Sequence, residues 1–286
     1  MSVSVPLRLR PLEIGDLLDE TFRLYRRHFL LFAGISVLLA VPSAALYGLA
    51  LGVLTSGLAD TSGLAESSNP PDLSTAYGFL AGIGAALLVN LVVLPFTSSA
   101  VTYAACESAV GRPVSPGGVF SGVLRRYFPL LGYWLLFNGV TAGIAVALCV
   151  APFILWLWVY VMWIAVTPAM FVENIGLGAA VTRSRYLVQG RWWRTFLILL
   201  LMAIVTYFAR VGLEAFLNVV SSLLQIVINQ FLVAAIAQGA AILVGALVTP
   251  VGQILIVLIY FDLRVRREAL DLFQMAYQLS APPAPA

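Results

Sequence analysis

The sequence predicts an all-α fold, a polytopic membrane helix bundle of six transmembrane helices plus short amphipathic interfacial helices. Three observations carry this. Hydrophobic residues make up 61% of the 286-residue chain and charged residues 10%, with a mean hydropathy of +0.98. Soluble domains average about 45–50% apolar and about 25% charged residues, so this chain has too little charge to coat a water-facing surface. The charges also cut the chain into long uncharged blocks, and the arginines fall on one side of the resulting topology.

The crossings follow from the blocks. A spanning helix takes roughly 20 apolar residues at about 1.5 Å rise each. Residues 28–59 and 73–106 carry no charge and hold one crossing each, at 29–54 and 76–104. The block 127–172 suits two, at 128–150 and 153–172. Pro152 near its midpoint favours a tight turn between them. Between Arg194 and Asp262 only Arg210 and Glu214 interrupt. Two crossings are assigned there, at 195–217 and 237–261, with an interfacial or re-entrant segment over Leu217–Phe231. The residues leave open whether that segment crosses, re-enters or lies flat.

With both termini cytoplasmic, fifteen of the sixteen arginines lie inside, and Arg210 is the exception. The segment 55–75 holds Asp60, Glu66 and Asp72 without arginine and belongs outside. This is the positive-inside pattern. The basic residues are all arginine, which reads as a GC-rich coding bias and hence a bacterial cytoplasmic (inner) membrane. The first apolar run follows a charged stretch and is longer than a signal-peptide core, so no cleavable signal is expected. Residues 1–275 form a single integral membrane domain, and the Ala/Pro-rich tail at 276–286 is expected to be disordered.

Three cytoplasmic segments share a design. Residues 12–27 place Ile14, Leu17, Leu18, Thr21, Phe22 and Tyr25 at helical spacing. Residues 116–127 repeat it with Val119, Phe120, Val123, Leu124 and Tyr127, behind Ser115 as N-cap and Pro116 in the first turn. Residues 176–190 show a weaker version. Each ends in arginines beside aromatics: Arg26-Arg27-His28-Phe29, Arg125-Arg126-Tyr127-Phe128 and Arg191-Trp192-Trp193-Arg194. Such helices lie in the headgroup layer, with arginine on phosphate and aromatics at the interface. Arg26, Arg27, Arg125, Arg126, Arg191, Trp192, Trp193 and Arg194 are therefore the candidate lipid headgroup contacts. One interfacial helix plus one hairpin gives a threefold repeat, supported by Pro95 and Pro250, each twelve residues before an acidic residue, Glu107 and Asp262.

Catalytic motifs are missing: there is no G-x-S-x-G, no H-E-x-x-H and no lysine for a Walker A loop. His28 is the only histidine, so no ordinary zinc site forms. Cys106 and Cys149 read as small buried hydrophobes. No metal and no cofactor are expected. Within the crossings, Arg210 and Glu214 share a helix face at i, i+4. They are either functional ionisable groups at depth or, the favoured reading, a pair reaching the outer interface. Asn90 and Asn138 lie mid-crossing, where an amide is expected to bond across helices. Gly48/Gly52, Gly78/Gly82 and Gly139/Gly143 have the spacing that allows close helix contact. Pro42, Pro95, Pro168 and Pro250 are expected to kink crossings.

The opening Arg10-Pro11-Leu12-Glu13-Ile14-Gly15-Asp16-Leu17-Leu18-Asp19, the central Ala180-Val181-Thr182-Arg183-Ser184-Arg185-Tyr186-Leu187-Val188-Gln189-Gly190-Arg191-Trp192-Trp193 and the closing Tyr260-Phe261-Asp262-Leu263-Arg264-Val265-Arg266-Arg267-Glu268 carry a family resemblance. Together they resemble the bacterial glycerophosphoryl diester phosphodiesterase membrane-domain proteins. The resemblance implies a six-helix membrane module. It does not imply phosphodiesterase activity, which in that family belongs to a separate soluble barrel. The expectation is a non-enzymatic membrane protein that organises anionic lipid or a membrane protein partner, with no nucleic acid. The alternative is a small transporter or lipid carrier.

Overall fold

The computed structural model describes residues 12–41, 77, 80, 84, 91, 93–112, 114–147, 152–224 and 230–268. All regular structure among them is helical. Three stretches are long and apolar enough to cross a membrane: Ile154–Val172 with 19 residues, Trp192–Leu224 with 33 and Leu243–Glu268 with 26. A bent pair, Ile14–Arg27 and Phe29–Val41, adds a fourth if it counts as one span.

The first helix, α1 (Ile14–Arg27), starts behind Glu13, whose backbone N–H donates to Asp16 Oδ2 at 3.4 Å. It ends at His28, whose N–H returns to the Leu24 carbonyl while its own carbonyl accepts from Leu31 and Phe32. One residue thus closes α1 and opens α2 (Phe29–Val41), and the two helices meet at 78°. A π-helical turn at Leu91 and Val93 precedes α3 (Leu94–Ala109). Pro95 sits in the first α turn directly behind this π-helical turn, where its missing N–H leaves no regular α-helical bond unmade. Gly111, at φ +80°, takes the left-handed conformation just past the end of α3.

Ser115 caps α4 (Pro116–Leu124) as expected, its Oγ accepting from Gly118 N–H at 3.2 Å. A short turn at Arg125–Arg126 leads into α5 (Tyr127–Ala147). The return path is two helices, α6 (Pro152–Met162) and α7 (Val166–Val172), where the sequence predicted one crossing. The break at 163–165 is fastened from elsewhere in the chain. Ser184 Oγ donates to the Met162 carbonyl at 2.8 Å and accepts from Ala165 N–H at 3.2 Å, and Tyr133 Oη donates to the Trp163 carbonyl at 3.2 Å.

Asn174, in a left-handed conformation at φ +56°, turns the chain into α8 (Leu177–Val188). Gly190, at φ +83°, makes the corresponding turn into α9 (Trp192–Leu224). The last helix, α10 (Gln230–Glu268), has 39 residues with Pro250 inside it. At about 1.5 Å per residue α9 is about 50 Å long and α10 about 58 Å, against a hydrocarbon core of about 30 Å. The segment predicted to leave the membrane at Leu217 is thus helix as far as Leu224.

The centre of the molecule is the C-terminal half of α10. Residues 257–263 are buried on every side, with α1, α3, α7, α8 and α9 packed around them. α9 lies at the periphery, burying little more than Thr195, Ile198 and Met202. Large exposed apolar side chains occur on α2, α3, α4, α5, α6, α8 and α9, whereas α1, α7 and residues 244–268 of α10 carry none.

Each amphipathic helix doubles back along the end of another helix. For α1 the track is α10: Leu12 N–H meets Asp262 at one end, and Tyr25 Oη donates to the Leu247 carbonyl at 2.7 Å at the other. α4 runs back along α3, with Gly122 against the Tyr103 ring and Phe120 4.9 Å from Phe96. α8 runs back along α7 and α6 through Arg183–Glu173, Ser184–Ala165 and Trp192–Trp158. Part of each apolar face expected to rest on lipid is therefore buried in protein, namely Leu17, Thr21 and Leu24 on α1, Val119 and Val123 on α4, and Ala180, Ser184, Leu187 and Val188 on α8, while Phe120 and Leu124 on α4 stay exposed.

Candidate functional site

Many of the charged residues hold the helix ends together, and several at the elbows are exposed. Asp262 is the most enclosed, with a side chain of 0% exposure. Its Oδ1 accepts from Leu12 N–H at 3.0 Å and Arg266 Nε at 3.0 Å, and its Oδ2 from an Arg194 Nη1 at 2.6 Å. The same two guanidiniums donate to the Leu12 carbonyl at 2.7 and 2.6 Å. Both polar groups at Leu12 are thereby clasped. A buried carboxylate is tolerable only when charge-assisted bonds saturate it in this way.

A second network lies alongside. Arg183 Nε donates to both oxygens of Glu173 at 2.9 Å, and its Nη2 pairs with Glu268. Arg264 bridges Glu268 at 3.1 Å and Glu173 at 3.6 Å, and Tyr260 Oη donates to Glu173 Oε1 at 2.8 Å. Arg267 stacks 4.2 Å over the Tyr186 ring and donates to the Gln189 carbonyl at 2.5 Å. Together these contacts tie the ends of α7, α8 and α10. None of Glu173, Arg183, Tyr260, Asp262, Arg264, Arg266 or Glu268 was singled out from sequence as a site residue. The available signal was the i, i+4 spacing of Asp262/Arg266 and Arg264/Glu268.

The collar candidates fall into two groups. Arg126 donates to the carbonyls of Met170 and Ile175. Arg191 donates to the Arg266 carbonyl at 3.2 Å, and Arg194 is held by Asp262. These three face inward and brace the elbows. Arg26, Arg27 and Arg125 are exposed. Among the aromatics, Trp193 is 76% exposed, while Trp192 stacks on Phe196 at 5.3 Å. At the first elbow, partial burial and the Arg27 charge hold the His28 imidazole below its ordinary value, so it is neutral at pH 7.

The intramembrane candidates are placed as follows. Arg210 Nε and Glu214 Oε1 pair at 2.7 Å on α9, with side chains 57% and 33% exposed and facing away from the bundle. Asn138 donates to the Trp134 carbonyl of its own helix at 2.8 Å, which satisfies one amide donor within that helix. Asn90, Pro42, Cys149, Gly48, Gly52, Gly78, Gly82 and the tail 276–286 lie outside the described residues. Among the described residues nothing approaches within 4 Å of a Cβ built on Gly139 or Gly143. Cys106 is buried. Among the described residues no group of three or more His, Cys, Asp or Glu side chains could hold a metal ion. No family model, no curated protein and no solved structure matches the chain.

Proposed function

We propose that the chain is a non-enzymatic membrane module that organises anionic lipid at the cytoplasmic face of a bacterial inner membrane. The observation that carries this reading is the set of three elbows, where a helix packed on the bundle turns into an outward-facing apolar helix. Two elbows present exposed arginines beside aromatics, Arg26 and Arg27 with Phe29 and Arg125 with Phe128, and the third presents the exposed Trp193. Cations beside interfacial aromatics are the chemistry that retains anionic headgroups, at about 1 kcal/mol per basic residue near the surface.

The proposal includes six crossings with both termini inside, and membership of the family named above. Its support is the length of α5, 21 residues without a charge, together with the arginine distribution. A threefold repeat of interfacial helix and hairpin is part of the same reading. It is favoured by the parallel roles of α1, α4 and α8, each running back along the helix that ends a hairpin. The absence of enzymatic chemistry rests on the sequence, which lacks a nucleophile–base pair or a carboxylate–histidine set.

The test is native mass spectrometry of the protein purified in a mild detergent. Retained phosphatidylglycerol or another anionic lipid at a defined stoichiometry, lost when Arg26, Arg27 and Arg125 are replaced together by Gln, is the expected result. A bare monomer with no preference for anionic over zwitterionic lipid rejects the proposal and directs attention to transport.

A further inference from the structure

We infer that the α1–α2 elbow is a discrete binding site for one anionic phospholipid, with the phosphodiester at Arg26 and His28 and an acyl chain along Phe29 and Leu30. This inference rests on the lipid-organising reading and narrows it to a place. The first elbow forms an open surface cavity of about 350 Å³, lined by the consecutive residues Arg26, Arg27, His28, Phe29, Leu30 and Leu31. The second and third spend their inward arginines on the protein itself. Arg126 holds two carbonyls, Arg191 a third, and Arg194 the buried Asp262.

The cavity is mixed in a way that selects an amphiphile. Its cationic wall is Arg26 and Arg27, its hydrogen-bonding corner is the His28 imidazole, and its apolar rim is Leu30, 86% exposed, with Phe29. Inorganic phosphate would use the first two and leave the rim bare to water. A phospholipid covers all three. The site is also rigid before any ligand arrives. Leu12 is clasped at one end of α1 and Tyr25 is bonded to the Leu247 carbonyl at the other. Phe32, wholly buried and edge-on to His28 at 6.5 Å, fixes the far side. A preformed site loses less conformational freedom on binding, so one lipid should be retained more tightly than the surrounding annulus.

The experiment is a titration of the full chain in detergent with phosphatidylglycerol, read as the dissociation constant of the first retained lipid by native mass spectrometry. Arg26→Gln combined with His28→Ala should weaken the first lipid by about fivefold or more, the effect of losing one surface cation. Arg185→Gln removes one exposed charge from α8, a different helix from those that form the first elbow, and should leave that constant unchanged. Leu30→Gln, at a position too exposed to disturb folding, should weaken the lipid through its chain contact. Equal weakening by Arg185→Gln and by the double variant would make the attraction diffuse and overturn the site, while the lipid-organising reading would stand. Competition by millimolar inorganic phosphate, with no effect of Leu30→Gln, would replace the lipid by a simple anion and overturn it as well. No preference of the wild type for phosphatidylglycerol over phosphatidylcholine would remove both this site and the broader proposal.

Discussion

At the scale of single residues, Asp262 is the side chain on which most depends. It sits with no solvent exposure on the central helix, and its partners Arg194 and Arg266 retain 23% and 25% exposure. Removing the carboxylate leaves two guanidiniums and the Leu12 N–H facing an apolar core. Loss of one partner from a fully buried pair costs about 3–5 kcal/mol. Because the arginines can still reach water, Asp262→Ala should fall near the lower end, at about 3 kcal/mol. Asp262→Asn should cost less, since its amide oxygen still accepts from Leu12 but its NH₂ opposes the arginines. Equilibrium unfolding in detergent checks both values. Equal stability of Asp262→Ala and wild type would mean that the clasp contributes nothing. A double variant with Arg194→Ala should cost less than the sum of the two, because the residues share one network.

Between elements, α4 approaches α3 closely at Gly122. A Cβ built on Gly122 would lie 2.5 Å from Cζ and 2.8 Å from Cε2 of Tyr103. Gly122→Ala should therefore force the ring aside and destabilise the α3–α4 pair by about 1–3 kcal/mol. In a Tyr103→Leu background the same change should be nearly neutral, and a thermal unfolding series of the four variants measures the coupling. The amphipathic character of α1, α4 and α8 and their arginine-aromatic ends could be read from sequence because helical spacing and capping are local. What those faces pack on could not be read, since lipid and protein interior select the same apolar residues. The length of α9 was hidden for a related reason. The segment over Leu217–Phe231 was set apart because the block between Arg194 and Asp262 is longer than two crossings need, whereas Ser221 and Ser222 within it donate to carbonyls of their own helix, at 2.7 and 2.8 Å, and so need no break. The break at 163–165 runs the other way. It is stabilised by Ser184 and Tyr133, each about twenty or more positions away, and Pro168 alone does not mark its place.

For the whole molecule, the decisive contact is the one between the two ends of the described chain. α3 is followed by α4 and α7 by α8, so those antiparallel pairs form locally, whereas α1 pairs with α10 across 250 positions. That pairing makes the arrangement of interfacial helices closed rather than open, and it positions the first elbow. The bonds at its two ends lie fifteen residues apart on α10, about 22 Å at about 1.5 Å per residue. If α1 docks as one unit, loosening either end should release all of it. Tyr25→Phe removes only the hydrogen bond to the Leu247 carbonyl, worth about 1 kcal/mol, and Asp262→Ala removes the clasp at Leu12. Hydrogen exchange followed by mass spectrometry should then show faster exchange along the whole of 14–27 in either variant, with the amides of α4 and α8 unchanged. Acceleration confined to the residues beside each substitution would mean that α1 frays from its ends and is not a cooperative latch. Acceleration spreading to α4 and α8 would mean instead that the three interfacial helices fold as one collar, because only a shared core through α10 could transmit the loss.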